Sequence, residues 1–550
     1  LWKEAIIMPN NNETNLTEDF KYYFDLPNPG LRSYFDIVQN GQPDEYSTTF
    51  AKNETIEEVL SAWQPHVESL AEQWPTLVEF ENDLKAKVGP MSIMNPLSES
   101  IEDIDHYYDD ILLSSTPVSD SAINAVLAEF KQINGLSIRE QQRTVDLMKK
   151  STNSGSPYFT KSSQVVSNTV PCGAWIGYNG QVLQGLDGFV PSGNIPGNAC
   201  AVLGWSGQEG GPSANDVNQR VVWMFPFAVN ICELQVYQPL IESCQNFDLV
   251  PAWVSMESVD QRVTSMFDTK GVDDVVICTD FSKFDQHFNP SMQDCASSIL
   301  RNLFTNDSRI SDWLVDVFPI KYTIPLAYDY GNIRSGSHGM GSGSGGTNAD
   351  ETLAHSALQY EAAQSNGVNL NPNSQCLGDD GVLTYPGITV EDVVRSYTAH
   401  GQEMNNSKQY VSNHDCVYLR RWHHENYSVD GVCVGVYSTY RALGSLMEQE
   451  RYYDPYIWSA NMVALRQLSI IENVNYHPLR AEFAEFCMNS DNYSLGLDIP
   501  GFLDDIDNIA NGAIDLMPDF LGYTNSMTQD QTGLSSWWIV NFLKSKRYNR

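Results

Sequence analysis

Leu377-Gly378-Asp379-Asp380-Gly381-Val382 sets two adjacent carboxylates between two glycines. Glycine on both sides of an acid pair predicts a tight hairpin turn with the acids at its tip. Such a tip must either face solvent or bind cations. Nucleotidyl transfer wants the second arrangement, because two Mg²⁺ ions about 3.5–4 Å apart can activate a 3′-hydroxyl and stabilise the departing pyrophosphate. A lone Gly-Asp-Asp is more often a solvated turn, so the reading depends on what surrounds it.

Upstream, Val275-Val276-Ile277-Cys278-Thr279 is a buried-strand signal that delivers Asp280 at its end. Asn289 and Pro290 then predict the cap and first residue of a helix to about Phe304. Asp280 and Asp285 therefore flank a strand-to-helix turn and can reach a cleft. Between the two acidic segments runs Ser335-Gly336-Ser337-His338-Gly339-Met340-Gly341-Ser342-Gly343-Ser344-Gly345-Gly346-Thr347. So much glycine implies close backbone approach, as to a nucleotide sugar or template. A flexible linker would be odd between a buried strand and a helical run.

The cations are sparse. Arg220, in Arg220-Val221-Val222-Trp223, is the only Lys or Arg between Lys161 and Arg262. It suits a buried ion pair or a phosphate clamp equally. Thr389 to Gly401 reads as a helix leading to Lys408, which could protonate a leaving pyrophosphate or be an ordinary surface lysine. Val417-Tyr418-Leu419-Arg420-Arg421 predicts a short strand with paired arginines.

The 550 residues exceed one compact core, and two to four subdomains are expected. Hydrophobic residues are 42% and charged residues 18%, which excludes disorder over most of the chain. No apolar run approaches the roughly 20 residues a bilayer demands, so no membrane association is expected. The start at Leu1, without a secretory pattern, reads as trimmed or processed. Ten scattered cysteines read as free thiols of a reducing compartment, and His414, Cys416, His423 and His424 fit no common zinc module. Net charge is −37, which argues against a protein that coats nucleic acid indiscriminately but allows focused basic channels. Ser151 to about Gly211 reads as long loops, and Thr55 with Glu58 as a capping box in an acidic N-terminal extension. The C-terminal stretch from about Ser535, ending in Lys544, Lys546, Arg547 and Arg550, reads equally as a mobile segment touching RNA or the thumb's inner face and as an ordinary terminal helix with a frayed, solvated end.

Taken in order, these segments resemble the motifs of viral RNA-dependent RNA polymerases, and Asp280-Phe281-Ser282-Lys283-Phe284-Asp285 with Gly381 is most similar to picobirnaviruses, with partitiviruses as neighbours. The resemblance covers about residues 150 to 425. It implies an α+β right hand of fingers, palm and thumb, the palm an antiparallel sheet with packed helices. The implied division is an N-terminal extension over 1–90, fingers over 91–270, palm over 271–430 with a fingers insertion at about 300–330, and thumb with tail over 431–550. It implies that Asp280, Asp379 and Asp380 bind two Mg²⁺ ions, with Mn²⁺ as a substitute, and that Lys408 joins them in catalysis. Arg220, Asp285, Ser342, Gly343 and Thr347 would bind the nucleoside triphosphate, and Thr152, Gly155 and Pro157 of Thr152-Asn153-Ser154-Gly155-Ser156-Pro157-Tyr158 would guide template. The implied partners are single- and double-stranded viral RNA, NTPs and a capsid protein, around a monomeric enzyme in the virion interior and host cytoplasm that copies a segmented double-stranded RNA genome.

Two departures stand out. Such enzymes often carry Asn four residues after the Thr of the glycine run, where this chain has Glu351, with Asn348 nearer. Asn218 and Gln219 stand where a lysine often precedes the arginine. The rival readings are a reverse transcriptase, disfavoured by an acid rather than a bulky gate at Asp285, and a non-enzymatic capsid-associated protein.

Overall fold

Val276–Thr279, buried on both faces, forms an inner strand of a four-stranded sheet in a computed structural model of the chain. The structure describes residues 13–15, 29–178, 180–186, 198–329, 332–454, 456–513 and 533–547, with side chains from residue 35 onward. Around the inner strand lie Asp380–Leu383 on one side and Tyr410–Ser412 on the other, and Gln375–Leu377 completes the sheet beyond Asp380–Leu383. Every pairing in this sheet is antiparallel.

Two helices back the sheet. Pro290–Leu303 begins where the sequence predicts, with the Asn289 side chain accepting from the backbone of Ser291 and Met292. Thr347–Ser365 is buried nearly all round. Alanines at 349, 354, 357, 362 and 363 line it, and their small volume admits close neighbours. Val390–Thr398, capped by Thr389 as expected, packs against it.

A second sheet orders Glu13–Asn15, Asn332–Arg334, Leu326–Ala327, Ala201–Gln208 and Asn218–Met224. Among the described residues its one parallel pair joins Ala201–Gln208 to Leu326–Ala327. The stretch expected to be long loops holds this strand and a hairpin of Cys172–Ile176 with Val182–Leu186. Glycines at 173, 185, 204 and 207 interrupt the alternation by which strands are recognised, which hides them in the sequence.

The N-terminal extension and the C-terminal region share one apolar core. Ile56–Glu68 and Pro75–Lys85 bury Trp63, Val67 and Leu77 against Leu443, Leu468 and Phe483. Each such side chain contributes about 1.5–3 kcal/mol. The Thr55–Glu58 capping box forms as predicted. Glu81, fully buried, accepts from the backbone and hydroxyl of Thr439 and lies 3.2 Å from the Nε2 of His477. The chain then runs to the second sheet, where Asn95 N donates to Gln219 Oε1 at 2.9 Å. The extension thus adds Glu13–Asn15 to the second sheet and its two helices to the apolar core shared with the C-terminal region.

Of the two readings of the C-terminal stretch, the structure has the terminal helix and not the mobile segment over the described residues. Trp538–Lys546 is a docked helix that buries Ile539, Val540 and Leu543 along one face. The Glu472 carboxylate accepts from the backbone of Trp538 and Ile539, capping its start. Lys546 and Arg547 pair with Glu485 and Asp504. In so acidic a chain, local carboxylates claim these cations first. Arg550 lies outside the described residues. No helix among them is long and apolar enough to cross a membrane, and all ten cysteines are free.

Candidate active site

Thr279 pairs with Gly381, and one further step along this antiparallel register sets Asp280 across from Asp380. Leu377 pairs with Asp380, leaving Gly378 and Asp379 as the turn. Gly378 holds φ +58°, the left-handed conformation a primed two-residue turn needs at its first position. A Cβ on Gly381 would lie 2.6 Å from the His355 ring, so only glycine fits there. The acids are held from behind. Gly378 N donates to the Thr352 hydroxyl at 2.9 Å, and His355 Nδ1 lies 2.8 Å from Gly378 O. Burial pushes His355 down to about 4, so it is neutral and Nδ1 is the donor. Gln409 clasps the first acid, accepting from Asp280 N at 2.7 Å and donating to Asp280 O at 2.9 Å.

These carboxylates repel one another. Burial pushes Asp380 up to about 7, Asp379 and Asp280 add to it, and the Arg420 guanidinium opposes. Asp379 is raised by burial and by Asp285, against Arg220. Asp280 is raised by burial, against the charges of Lys408 and Lys87. Such crowding favours a bound divalent cation. The donor set consists of hard oxygens, and Asp280 and Asp379 are open to solvent. Among the described residues no three His, Cys, Asp or Glu side chains converge tightly enough to hold a metal by themselves. That arrangement fits Mg²⁺, which takes one or two protein carboxylates and fills its shell with water and substrate phosphate.

On the facing wall, Arg220 projects from Asn218–Met224, half exposed, with one guanidinium nitrogen 3.4 Å from Asp285. The pair leaves the fork partly free for a phosphate. The glycine run is a packed loop. Met340 N donates to Asp285 O at 2.9 Å, and a Cβ on Gly343 would lie 1.5 Å from Trp223 O. Ser342 donates to Val221 O at 3.4 Å, and the Thr347 hydroxyl serves the carbonyls of Gly341 and Ser344. Both hydroxyls therefore brace the loop. Lys408 ends the short turn Asn406–Lys408, exposed beside Asp280. Thr152, Gly155 and Pro157 lie on a loop whose Ser154 O accepts from Phe227 N at 2.8 Å. A Cβ on Gly155 would meet Phe225 O at 2.5 Å, and one on Gly341 would meet the Phe225 ring at 2.8 Å. Phe225 is where this loop, the arginine strand and the glycine run join.

A family model described as viral RNA-dependent RNA polymerase matches residues 213–425. A curated relative, the "Potential RNA-dependent RNA polymerase" of Human picobirnavirus (strain Human/Thailand/Hy005102/-), is 59% identical over 532 residues, 96% of this chain and 98% of the relative. The chain belongs to the viral RNA-dependent RNA polymerases. A crystal structure of the RNA-dependent RNA polymerase of a human picobirnavirus is similar to this polymerase with a TM-score of 0.91 at 57% identity, covering 97% of this chain and all of that one. The insertion loop deletion mutant of such a polymerase gives 0.89 at 56% identity, with coverage of 97% and 100%. The α+β fold and the family expected from the sequence are thereby established.

Sequence reading missed several residues of the polymerase's cleft. Thr347, Glu351 and His355 recur every four residues on one helix, which puts them on one face; Glu351 stood out in the sequence as a departure from the family pattern, and the spacing could also have revealed His355. Gln409 carried no signal, since its role depends on a strand 129 positions away. The expected single strand from Val417 to Arg421 is instead a hairpin of Asp415–Tyr418 and Arg421–His424. Its turn residues Leu419 and Arg420 take φ of +51° and +60° without being glycine, which disguised it. The turn separates the two arginines. Arg421 is buried, whereas Arg420 is exposed and offsets the charge of Asp379 and Asp380.

Proposed function

We propose that this polymerase copies viral RNA by two-metal nucleotidyl transfer, with Asp280, Asp379 and Asp380 as the protein ligands of two Mg²⁺ ions, or of Mn²⁺ in their place. The observation that carries this reading is the antiparallel register that aligns Asp280 with Asp380 beside the Asp379 turn. When bound, the ions supply activation of the 3′-hydroxyl and charge stabilisation at the leaving pyrophosphate. Gln409 fixes the backbone of Asp280, and Thr352 with His355 fixes the Gly378 turn, so the acids keep one geometry. Arg220 holds the triphosphate through its planar fork, and Asp285 orients that fork. Lys408 gives its proton to the departing pyrophosphate. Asp285 also reads the ribose, and Ser342, Gly343 and Thr347 shape the nucleotide wall. Thr152, Gly155 and Pro157 steer template toward Phe225.

The chain divides functionally into an extension (1–90), fingers (91–270, with an insertion at about 300–330), palm (271–430) and thumb with tail (431–550). Kinship with a picobirnavirus enzyme supports replication and transcription of a segmented double-stranded RNA genome by a monomer working with a capsid protein, in the virion interior and the host cytoplasm. Purified protein, single-stranded RNA and labelled ribonucleotides test the reading. Incorporation is expected with Mg²⁺ and not with chelator. Incorporation indifferent to divalent ions, or none under either condition, overturns it.

A further inference from the structure

The strand-to-helix turn after Asp280 and the loop that carries Lys408 share one buried side chain. His287 is 3% exposed and follows Asp285 closely in the chain. Lys283, inside the turn, holds φ +53° without being glycine, and its carbonyl faces the imidazole, with His287 Nδ1 at 2.9 Å. A carbonyl only accepts, so Nδ1 is the donor. Nε2 lies 3.4 Å from Asp110 Oδ2 and 3.6 Å from Glu403 Oε2. In a neutral ring that nitrogen has only a lone pair, which two carboxylates repel, whereas a proton there makes both contacts attractive. Asp110 also meets His106, whose Nδ1 is 3.2 Å from Oδ1.

Glu403 belongs to the lysine's loop. Gln402 beside it donates to His287 O at 3.1 Å, and Ser282 N donates to Glu403 O at 2.9 Å. Further along the loop, Lys408 stands just before Gln409, which clasps Asp280. The loop is therefore tied at both ends to the segment that carries the first acid, and Lys408 is held between the ties. The first tie borders a cleft of about 470 Å³ lined also by Leu113, Ser114, Thr398 and Met404, so close packing does not by itself fix the loop there. We propose that His287 is a positioning residue: through Asp110 and Glu403 it fixes this loop against the strand-to-helix turn and so aims the Lys408 ammonium at the departing pyrophosphate. The proposal rests on reading Lys408 as the proton donor. Aim matters because a proton passes only within hydrogen-bond reach, and a displacement of about 1 Å can slow a reaction on the order of a hundredfold.

The test is single-nucleotide extension on a primed RNA template, with kcat and KM for the ribonucleotide measured separately. His287→Phe keeps a ring and removes both nitrogens. It is expected to lower kcat roughly tenfold with KM within about twofold, because the lysine acts only as the bond to pyrophosphate breaks. Glu403→Gln removes one charge of the tie and should lower kcat about threefold, a modest effect because this carboxylate is 66% exposed. Lys408→Ala alone should lower kcat roughly a hundredfold. Added to Lys408→Ala, neither of the other substitutions should cost more than about twofold further, since groups that act as a unit are lost together. Wild-type kcat in both His287→Phe and Glu403→Gln, losses that multiply in full onto Lys408→Ala, or a KM that rises while kcat holds overturns the positioning role. If His287→Phe does not fold by thermal melting, the exposed Glu403→Gln carries the test with its own expectations. Failure of the underlying reading looks different: Lys408→Ala would then keep wild-type kcat, which removes the lysine's role and the role of His287 with it.

Discussion

Asp350 and Glu351 are neighbours on one helix, both acidic and both buried, and their surroundings are opposite. Asp350 is saturated. Lys321 Nζ lies 3.0 Å away, and the hydroxyls of Tyr237 and Tyr322 donate to it at 2.6 and 2.7 Å. The lysine is itself enclosed, with Phe318 3.7 Å below its ammonium. Glu351, turned about 100° round the helix, meets other carboxylates and keeps an oxygen without a donor. A buried polar group with all its partners helps to hold a fold. The face of Asp350 anchors the glycine run, since Glu233 beside this network accepts from Ser344 and from Gly345 N. The face of Glu351 looks onto the catalytic turn.

Substitutions on the two faces are expected to separate chemistry from stability. The largest effect is expected on the cleft side. Asp280→Ala or Asp379→Ala should lower synthesis on the order of a thousandfold, with thermal melting at or above wild type because a repelling charge is removed. More than a tenth of wild-type synthesis in both variants sinks the metal assignment.

On the core side, Lys321→Met strands Asp350 without its cation and should destabilise the fold by about 3–5 kcal/mol. Denaturant unfolding measures this, and a cost under 1 kcal/mol would mean the network is dispensable. Arg220→Lys keeps charge but loses the fork, and is expected to weaken kcat/KM for nucleotides about tenfold without changing the melting temperature. A melting shift with unaltered kinetics would reassign Arg220 to the core side. Asp285→Ala should lower the preference for ribo- over deoxyribonucleotides by a similar factor. An unchanged ratio rejects its sugar role.

The smallest effect is a pH slope. Burial pushes Glu233 up to about 7, with Lys321 and the Ser344 hydroxyl opposing. The folded state therefore holds this proton more tightly than the unfolded chain, and folding loses stability as pH rises from about 4.5 toward 7. Glu233→Gln should flatten that part of the stability curve. An identical slope in the variant would show that other groups carry it.

Local signals in the chain were enough for the strand ending at Asp280, the cap at Asn289, the turn at Gly378 and the capping box at Thr55, because each depends on residues within a few positions. The order of those segments was enough for the family. Pairings over long separations were out of reach. Nothing near Gln409 announces Asp280, nothing near Glu81 announces Thr439 and His477, and the C-terminal cations show no sign of Glu485 and Asp504. The difference between Asp350 and Glu351 belongs to this second class. Sequence makes them two acids in a row, and only the packing of the helix between the buried lysine and the catalytic turn decides which is satisfied and which is left open, because burial and partners come from elements distant in the chain.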